Sequence, residues 1–273
     1  MRTIVSFHAH PDDEAIGTGG TLAQLAATGH RVVLVLATRG ERGEPTPGVL
    51  DEGEMLWERR IRETLASAEL LGVQRVEFLG YVDSGMMGEP TNDFPYSFWQ
   101  ADVEHAATRL AAILTEESAD LLTVYDDFGG YGHPDHIQVH RVGLRAAQLA
   151  GTPEVFQGTM NSDHIRRSIQ AVRAQQAADG IEPPTGAPTE EELDTTTFGK
   201  PEVELTHAID VRDVLEVKRA AMVAHQSQIA SDSWFLTMDD ESFAMAFGTE
   251  WFIRTGHTRG AEEPFATSLW DGH

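Results

Sequence analysis

The first 150 residues alternate short apolar runs with longer amphipathic stretches. Residues 3–9 form a β-branched run, and residues 18–28 carry a helical pattern (Leu22, Leu25, Ala26) that Gly29 closes. Residues 31–37 are continuously apolar, as in a strand covered on both faces. A long amphipathic helix over 54–71 stops at Gly72, and a short strand follows at 76–79. The pattern repeats with a helix over 103–117, a strand over 121–125 and a helix over 137–150, whose Val139, Val142, Ala146 and Leu149 share a stripe. Four strand–helix repeats in series predict an α/β fold, a Rossmann-like parallel sheet flanked by helices with right-handed crossovers.

Beyond residue 150 the pattern is less regular. A strand over 155–160 and a helix over 163–178 are expected, then an exposed insertion at about 180–201, rich in Pro, Gly, Thr and Glu. A strand over 203–209, a helix over 213–228 and an aromatic-rich tail follow, the tail read as a lid or an oligomer contact. No internal repeat or second domain emerges, so residues 1–273 read as one domain with its core at about 3–160 and an irregular C-terminal portion over 203–273.

Composition narrows the partners. With 41% apolar and 23% charged residues the chain is of ordinary globular type. Zero cysteines exclude disulfides, thiolate metal sites and a cysteine nucleophile. The apolar run after Met1-Arg2-Thr3 is too short for a secretory signal, and no run approaches the ~20 residues that span a bilayer, so a cytoplasmic location is expected. The net charge of −24, with lysine only at 200 and 218, repels phosphate backbones and anionic membranes. Neither nucleic acid nor a membrane is therefore an expected partner, and the acidic surface reads as solvated.

Two polar clusters interrupt the pattern, each directly after an apolar run and before a helix. The first is His8-Ala9-His10-Pro11-Asp12-Asp13-Glu14 and the second Gly129-Gly130-Tyr131-Gly132-His133-Pro134-Asp135-His136. Loops beyond the carboxyl ends of strands are where open α/β sheets place chemistry, so two such clusters can meet at one sheet edge. Imidazole nitrogen and carboxylate oxygen suit a divalent metal that keeps a position open for water. For either cluster alone, a capped helix start with Pro in its first turn is the plain alternative. His10 and Asp13 can supply two ligands and leave Asp12 free beside them. The residues by themselves leave a choice for the rest: His136 and His140 stand at i, i+4, and His8 shares a strand face with His10. Gly17-Thr18-Gly19-Gly20 lacks the spacing of a dinucleotide fingerprint.

His10-Pro11-Asp12-Asp13-Glu14 and His133-Pro134-Asp135-His136, in this order, resemble the paired signature motifs of the LmbE-like, or PIG-L, zinc deacetylases. The Gly129–Gly132 approach and Asp83-Ser84-Gly85-Met86 resemble the mycothiol branch of that family. The likeness covers residues 3–150 well and the C-terminal part loosely. It implies one zinc per chain, with ferrous iron as the other metal to consider, held by His10, Asp13 and His136. It further implies Asp12 as general base, His133 as an imidazolium acting on the oxyanion or the departing amine, and Tyr131 as a hydroxyl donor to the same oxygen. Arg60, Asp83 and Met86 match positions on the substrate side, against a solvated helix face as the alternative for Arg60. Glu14 is expected to orient a metal ligand or to complement a helix start. His225-Gln226-Ser227-Gln228 resembles a His-x-x-Gln stretch of the same branch, for which a capping role is equally simple. The implied reaction is removal of an acetyl group from a small N-acylated sugar or sugar conjugate, N-acetylglucosaminyl-inositol-like. The alternatives are amide cleavage of a mycothiol S-conjugate, a natural-product tailoring deacetylase and, more distantly, a metal-dependent hydratase on the same scaffold. A homo-oligomer is compatible with all of these.

Overall fold

A computed structural model describes residues 1–178 and 198–270. Among the described residues the sheet has seven strands, in the order β3-β2-β1-β4-β5-β7-β6. They are β1 (Thr3–His8), β2 (Arg31–Leu36), β3 (Arg75–Phe78), β4 (Leu121–Tyr125), β5 (Glu154–Thr159), β6 (His207–Asp210) and β7 (Thr249–Arg254). The first five are mutually parallel, as the four strand–helix repeats require, while β7 pairs antiparallel with both β5 and β6.

Helices cover both faces because both faces are apolar. Val5 and Phe7 point to the side packed by α4 (Val103–Glu116) and α5 (Pro134–Ala150), through Ala106, Leu110, Val139, Val142 and Ala146. Ile4, Val32 and Leu121 face the other way, onto Leu22 and Leu25 of α2 (Gly19–Ala27). Alternate residues of one strand thus enter opposite layers, and each fully buried aliphatic or Phe side chain contributes about 1.5–3 kcal/mol. Gly143 lets α5 lie on β4, since a Cβ there would stand 2.3 Å from Val124 Cγ1.

The C-terminal part departs from the expectation. The strand expected at 203–209 is a 3-10 turn followed by the shorter β6. The helix expected over 213–228 is a 3-10 turn leading into α7 (Leu215–Ala224), which ends at His225. The aromatic tail is not a lid: it forms α8 (Asp240–Phe247) and then β7, inside the sheet. In β7 the buried positions are Glu250, Phe252 and Arg254, so the period of two was present but two charges disguised it. Glu250 accepts the backbone N–H groups of Gly20 and Thr21 at 2.8 Å each and pairs with Lys218 at 2.6 Å. One carboxylate therefore ties α2, α7 and β7 together at the start of α2, where a negative charge is favoured. Most of the insertion expected at 180–201 lies outside the described residues; 198–201 fall within them. Among the described residues no helix is long and apolar enough to cross a membrane.

Candidate active site

β1 and β4 are adjacent and parallel, so the loops after them open on one edge at the point where the strand order reverses. The first loop leads into α1 (Asp13–Gly17), the second into α5. Helix α5 begins at Pro134, three residues before the start expected from periodicity, and its N-cap is His133, whose Nδ1 accepts the Asp135 N–H at 3.1 Å. The capped-helix reading of this cluster holds, and the cap is the histidine itself.

The hydrogen bonds decide which ring nitrogens are free. His10 turns Nε2 to Asp135 Oδ2 (3.2 Å) and to Asp83 Oδ1 (3.6 Å), which leaves Nδ1 facing Asp13 Oδ2 at 3.4 Å. His136 directs Nδ1 to the Gly129 carbonyl at 3.2 Å, and its Nε2 lies 3.4 Å from the same Asp13 oxygen, buried and without a hydrogen-bond partner. Two imidazole nitrogens and one carboxylate oxygen thus converge, the donor set that suits a divalent cation. His133 stands close to both rings, and its nitrogen lies within 4.8 Å of theirs. Because its Nδ1 is an acceptor, the proton of its neutral ring sits on Nε2, where it can act as a donor. A second acidic group, His10 with Asp83 and Asp135, is equally compact. Its carboxylates are already engaged, Asp135 by the Ser84 N–H at 2.9 Å and by the Ser84 hydroxyl, and Asp83 by the Gly85 and Arg42 N–H groups. Both face Nε2 of His10 and orient its ring.

Gly129, at φ +66°, makes the His136 bond feasible: a Cβ there would lie 2.5 Å from the Cβ of His136. The Tyr125 ring stacks on His136 at 4.3 Å, and its hydroxyl lies 2.9 Å from His8 Nδ1. His8 is satisfied there and by Ser6 and Thr18, so it is a core residue. His140 directs Nδ1 to the Tyr125 carbonyl. Among the described residues His8 thus has partners on both ring nitrogens and His140 has one on Nδ1, while His136 Nε2 has none.

The electrostatics assign protons. Burial opposes a charge on His10, but Asp83, Asp13 and Asp135 outweigh it and hold its pKa well above the usual value. Asp13 is also buried, yet His136 and His10 keep it well below the usual carboxylate range. Burial pushes Asp12 up to about 6, against the pull of Arg60, with Asp13 adding to the rise. Burial, and then His10 and His136, push His133 down to about 3. Burial and the neighbouring His10 and His136 rings thus disfavour the imidazolium expected of His133 and favour a neutral ring that offers Nε2–H. Tyr131 lies half-exposed at the rim, its ring 5.0 Å from that of His136, and burial keeps its hydroxyl protonated.

Three of the remaining expected residues take other partners. Arg60 does not face outward: it is buried, donates Nη1 to the Gly40 carbonyl at 2.9 Å and Nη2 to the Pro11 carbonyl, and pairs with Asp12 at 3.3 Å. Glycine at 40 permits this approach, since a Cβ would meet the guanidinium at 2.1 Å. Asp83 is buried beside His10, whereas Met86 is half-exposed beyond it. Glu14 supports Asp12 rather than a ligand, accepting the Asp12 N–H at 3.0 Å on Oε2. Asp12 itself has φ +105°, which an L-residue adopts at a cost of about 1–3 kcal/mol. Ser84, Asp135, Tyr125 and Ser67 were not singled out from the sequence; Ser84 and Asp135, each inside a quoted motif, carried a readable signal, and Tyr125 and Ser67 carried none.

Comparison with known proteins gives a consistent picture. The family model described as PIG-L, GlcNAc-PI de-N-acetylase, matches residues 5–147. A 1D-myo-inositol 2-acetamido-2-deoxy-alpha-D-glucopyranoside deacetylase of Acidothermus cellulolyticus is 41% identical over 264 residues, 93% of this chain and 88% of the relative. Among solved structures, the N,N'-diacetylchitobiose deacetylase of Pyrococcus horikoshii shares the fold at TM-score 0.58 and 24% identity, over 93% of this chain and 84% of that one. A 4-carboxy-2-hydroxymuconate hydratase of Pseudomonas putida also shares it, at TM-score 0.57 and 19% identity, over 97% of this chain and 100% of that one.

Proposed function

The chain belongs to the PIG-L family, and from that premise we propose that it is a zinc-dependent hydrolase removing the acetyl group of 1D-myo-inositol 2-acetamido-2-deoxy-alpha-D-glucopyranoside. Fold alone leaves the reaction open, since a hydratase shares it. The observation that carries the proposal is the convergence of His10 Nδ1 and His136 Nε2 on one Asp13 oxygen, at 3.4 Å each, with the buried Asp12 next in the chain and close enough to feel the Asp13 charge. A ligand set of this size leaves room for water, and the Asp12 carboxylate, paired with Arg60, is the candidate base next to it.

In this reading His10, Asp13 and His136 hold the metal. A bound divalent ion supplies Lewis acidity and brings the pKa of water towards ~7. Asp12 accepts the proton of the attacking water; with a pKa near 6 it is ionised at neutral pH yet basic enough to work. His133 donates Nε2–H to the acetyl oxygen as that oxygen becomes anionic, and the Tyr131 hydroxyl is a second donor from the rim. Asp12, now protonated, returns the proton to the sugar nitrogen as the C–N bond breaks. Acetate and the free amine leave. Met86, half-exposed beyond Asp83, borders the sugar.

The test is direct. The zinc-reconstituted protein is given the N-acetylglucosaminyl-inositol, and free amine and acetate are measured together. Equal release of both supports the proposal. Cleavage confined to mycothiol S-conjugates would replace it with the amidase reading, and metal-dependent water addition without amide hydrolysis with the hydratase reading.

A further inference from the structure

Resting on the reading of Asp12 as the base, we infer that His225 is a positioning residue for it: acting through Glu14, it fixes the peptide that joins Pro11 to Asp12. That peptide unit is gripped at both ends. Its carbonyl accepts from the Arg60 guanidinium, and its N–H donates to Glu14 Oε2 at 3.0 Å. The grip matters because Asp12 sits at φ +105°, a backbone conformation that a non-glycine residue leaves when nothing holds it. Rotation of this peptide would carry the Asp12 carboxylate away from Asp13.

Glu14 can hold the N–H only if its own carboxylate is fixed, and the fixing comes from far along the chain. Oε1 accepts from His225 Nε2 at 2.6 Å and from the Ser67 hydroxyl at 2.7 Å. All three side chains are fully buried. His225 is the residue at which α7 ends, and the next turn is tied down where Glu63 accepts the Ser227 N–H at 2.9 Å and its hydroxyl at 2.5 Å. A buried ion pair adds little stability compared with apolar packing of the same volume. Specific geometry is what such a pair supplies here, since the remaining carboxylate oxygen of Glu14 is directed at the backbone of the proposed base. His225 touches neither substrate nor metal ligand in this arrangement, so its effect must appear through Asp12.

The experiment uses His225→Leu, which removes the donor, and His225→Gln, which restores an N–H near the position of Nε2. Each is made in the parent protein and with Asp12→Asn, and kcat, KM, zinc content and melting temperature are measured on the N-acetylglucosaminyl-inositol. His225→Leu should lower kcat by about 10²-fold, the scale of an ångström-sized misplacement, with KM and zinc content unchanged. His225→Gln should recover most of that loss, and in the Asp12→Asn background His225→Leu should have no further effect on the residual rate. An equal loss in both backgrounds, a loss of zinc, or no difference between the Leu and Gln variants would overturn the inference. If Asp12→Asn alone leaves kcat unchanged, it is the reading of Asp12 as base that fails.

Discussion

Nε2 of His136 stands 3.4 Å from Oδ2 of Asp13, buried and with no hydrogen-bond partner among the described residues. A buried nitrogen left this way costs about 1–3 kcal/mol unless something completes it. A cation shared with Asp13 and His10 would do so, which leads to the first expectation.

His10→Ala, Asp13→Ala and His136→Ala should each weaken zinc binding by more than the ~10–100-fold that loss of an outer partner brings. His133→Ala and His140→Ala should retain about one ion per chain, since their ring nitrogens have other duties. Metal analysis after dialysis decides this. Zinc lost from His133→Ala, or kept by all three ligand variants, would refute the assignment.

Zinc affinity should depend on pH through His10. Its acidic neighbours raise its pKa, so without metal it keeps a proton that zinc must displace from Nδ1. Affinity should therefore fall as pH falls below that raised pKa, by up to ~10-fold per unit for one proton displaced. Competition titrations with a chelator across pH measure the slope. A flat profile would mean that zinc displaces no proton.

Asp12→Asn should keep its zinc and lose ~10²–10⁴ in kcat. In the parent protein activity requires ionised Asp12, so the rate should rise with pH through the pKa of that group. This lies near 6 without metal and lower with a cation beside it, because a positive charge favours the carboxylate. An acidic limb centred well above pH 6 would point to another group.

His133→Ala should lower kcat by about 10²–10³, the usual loss for one oxyanion donor, and leave the shape of the pH–rate profile unchanged. The sign follows from its depressed pKa: a group that loses its proton near 3 is already neutral throughout the working range. An alkaline limb that vanishes in this variant would restore the imidazolium role.

Lys218→Met should destabilise the fold by about 3–5 kcal/mol, since it strands the buried Glu250 charge that anchors α2. The double variant Lys218→Met with Glu250→Gln should recover part of the loss. Denaturant unfolding of the three proteins checks both statements.

The sequence alone determined the parallel half of the sheet, because apolar runs of β1, β2 and β4 and the stripes of α3 (Leu56–Leu70), α4 and α5 are local patterns with a period. It also brought the two His/Asp clusters to one edge, since each follows a strand and strands in parallel order end on the same side. Periodicity could not show β7, where Glu250 and Arg254 occupy the buried positions and find partners on α2, α7 and β5. Nor could spacing choose between His136 and His140, or tell that Arg60 and Asp83 turn inward. Those choices rest on which nitrogen of each ring already has a partner, and on desolvation of charges beside one another. Such quantities exist only once residues as distant as Glu14 and His225 lie 2.6 Å apart. Tertiary structure decided them because burial makes every unpaired polar atom costly, and the fold alone sets who pairs with whom.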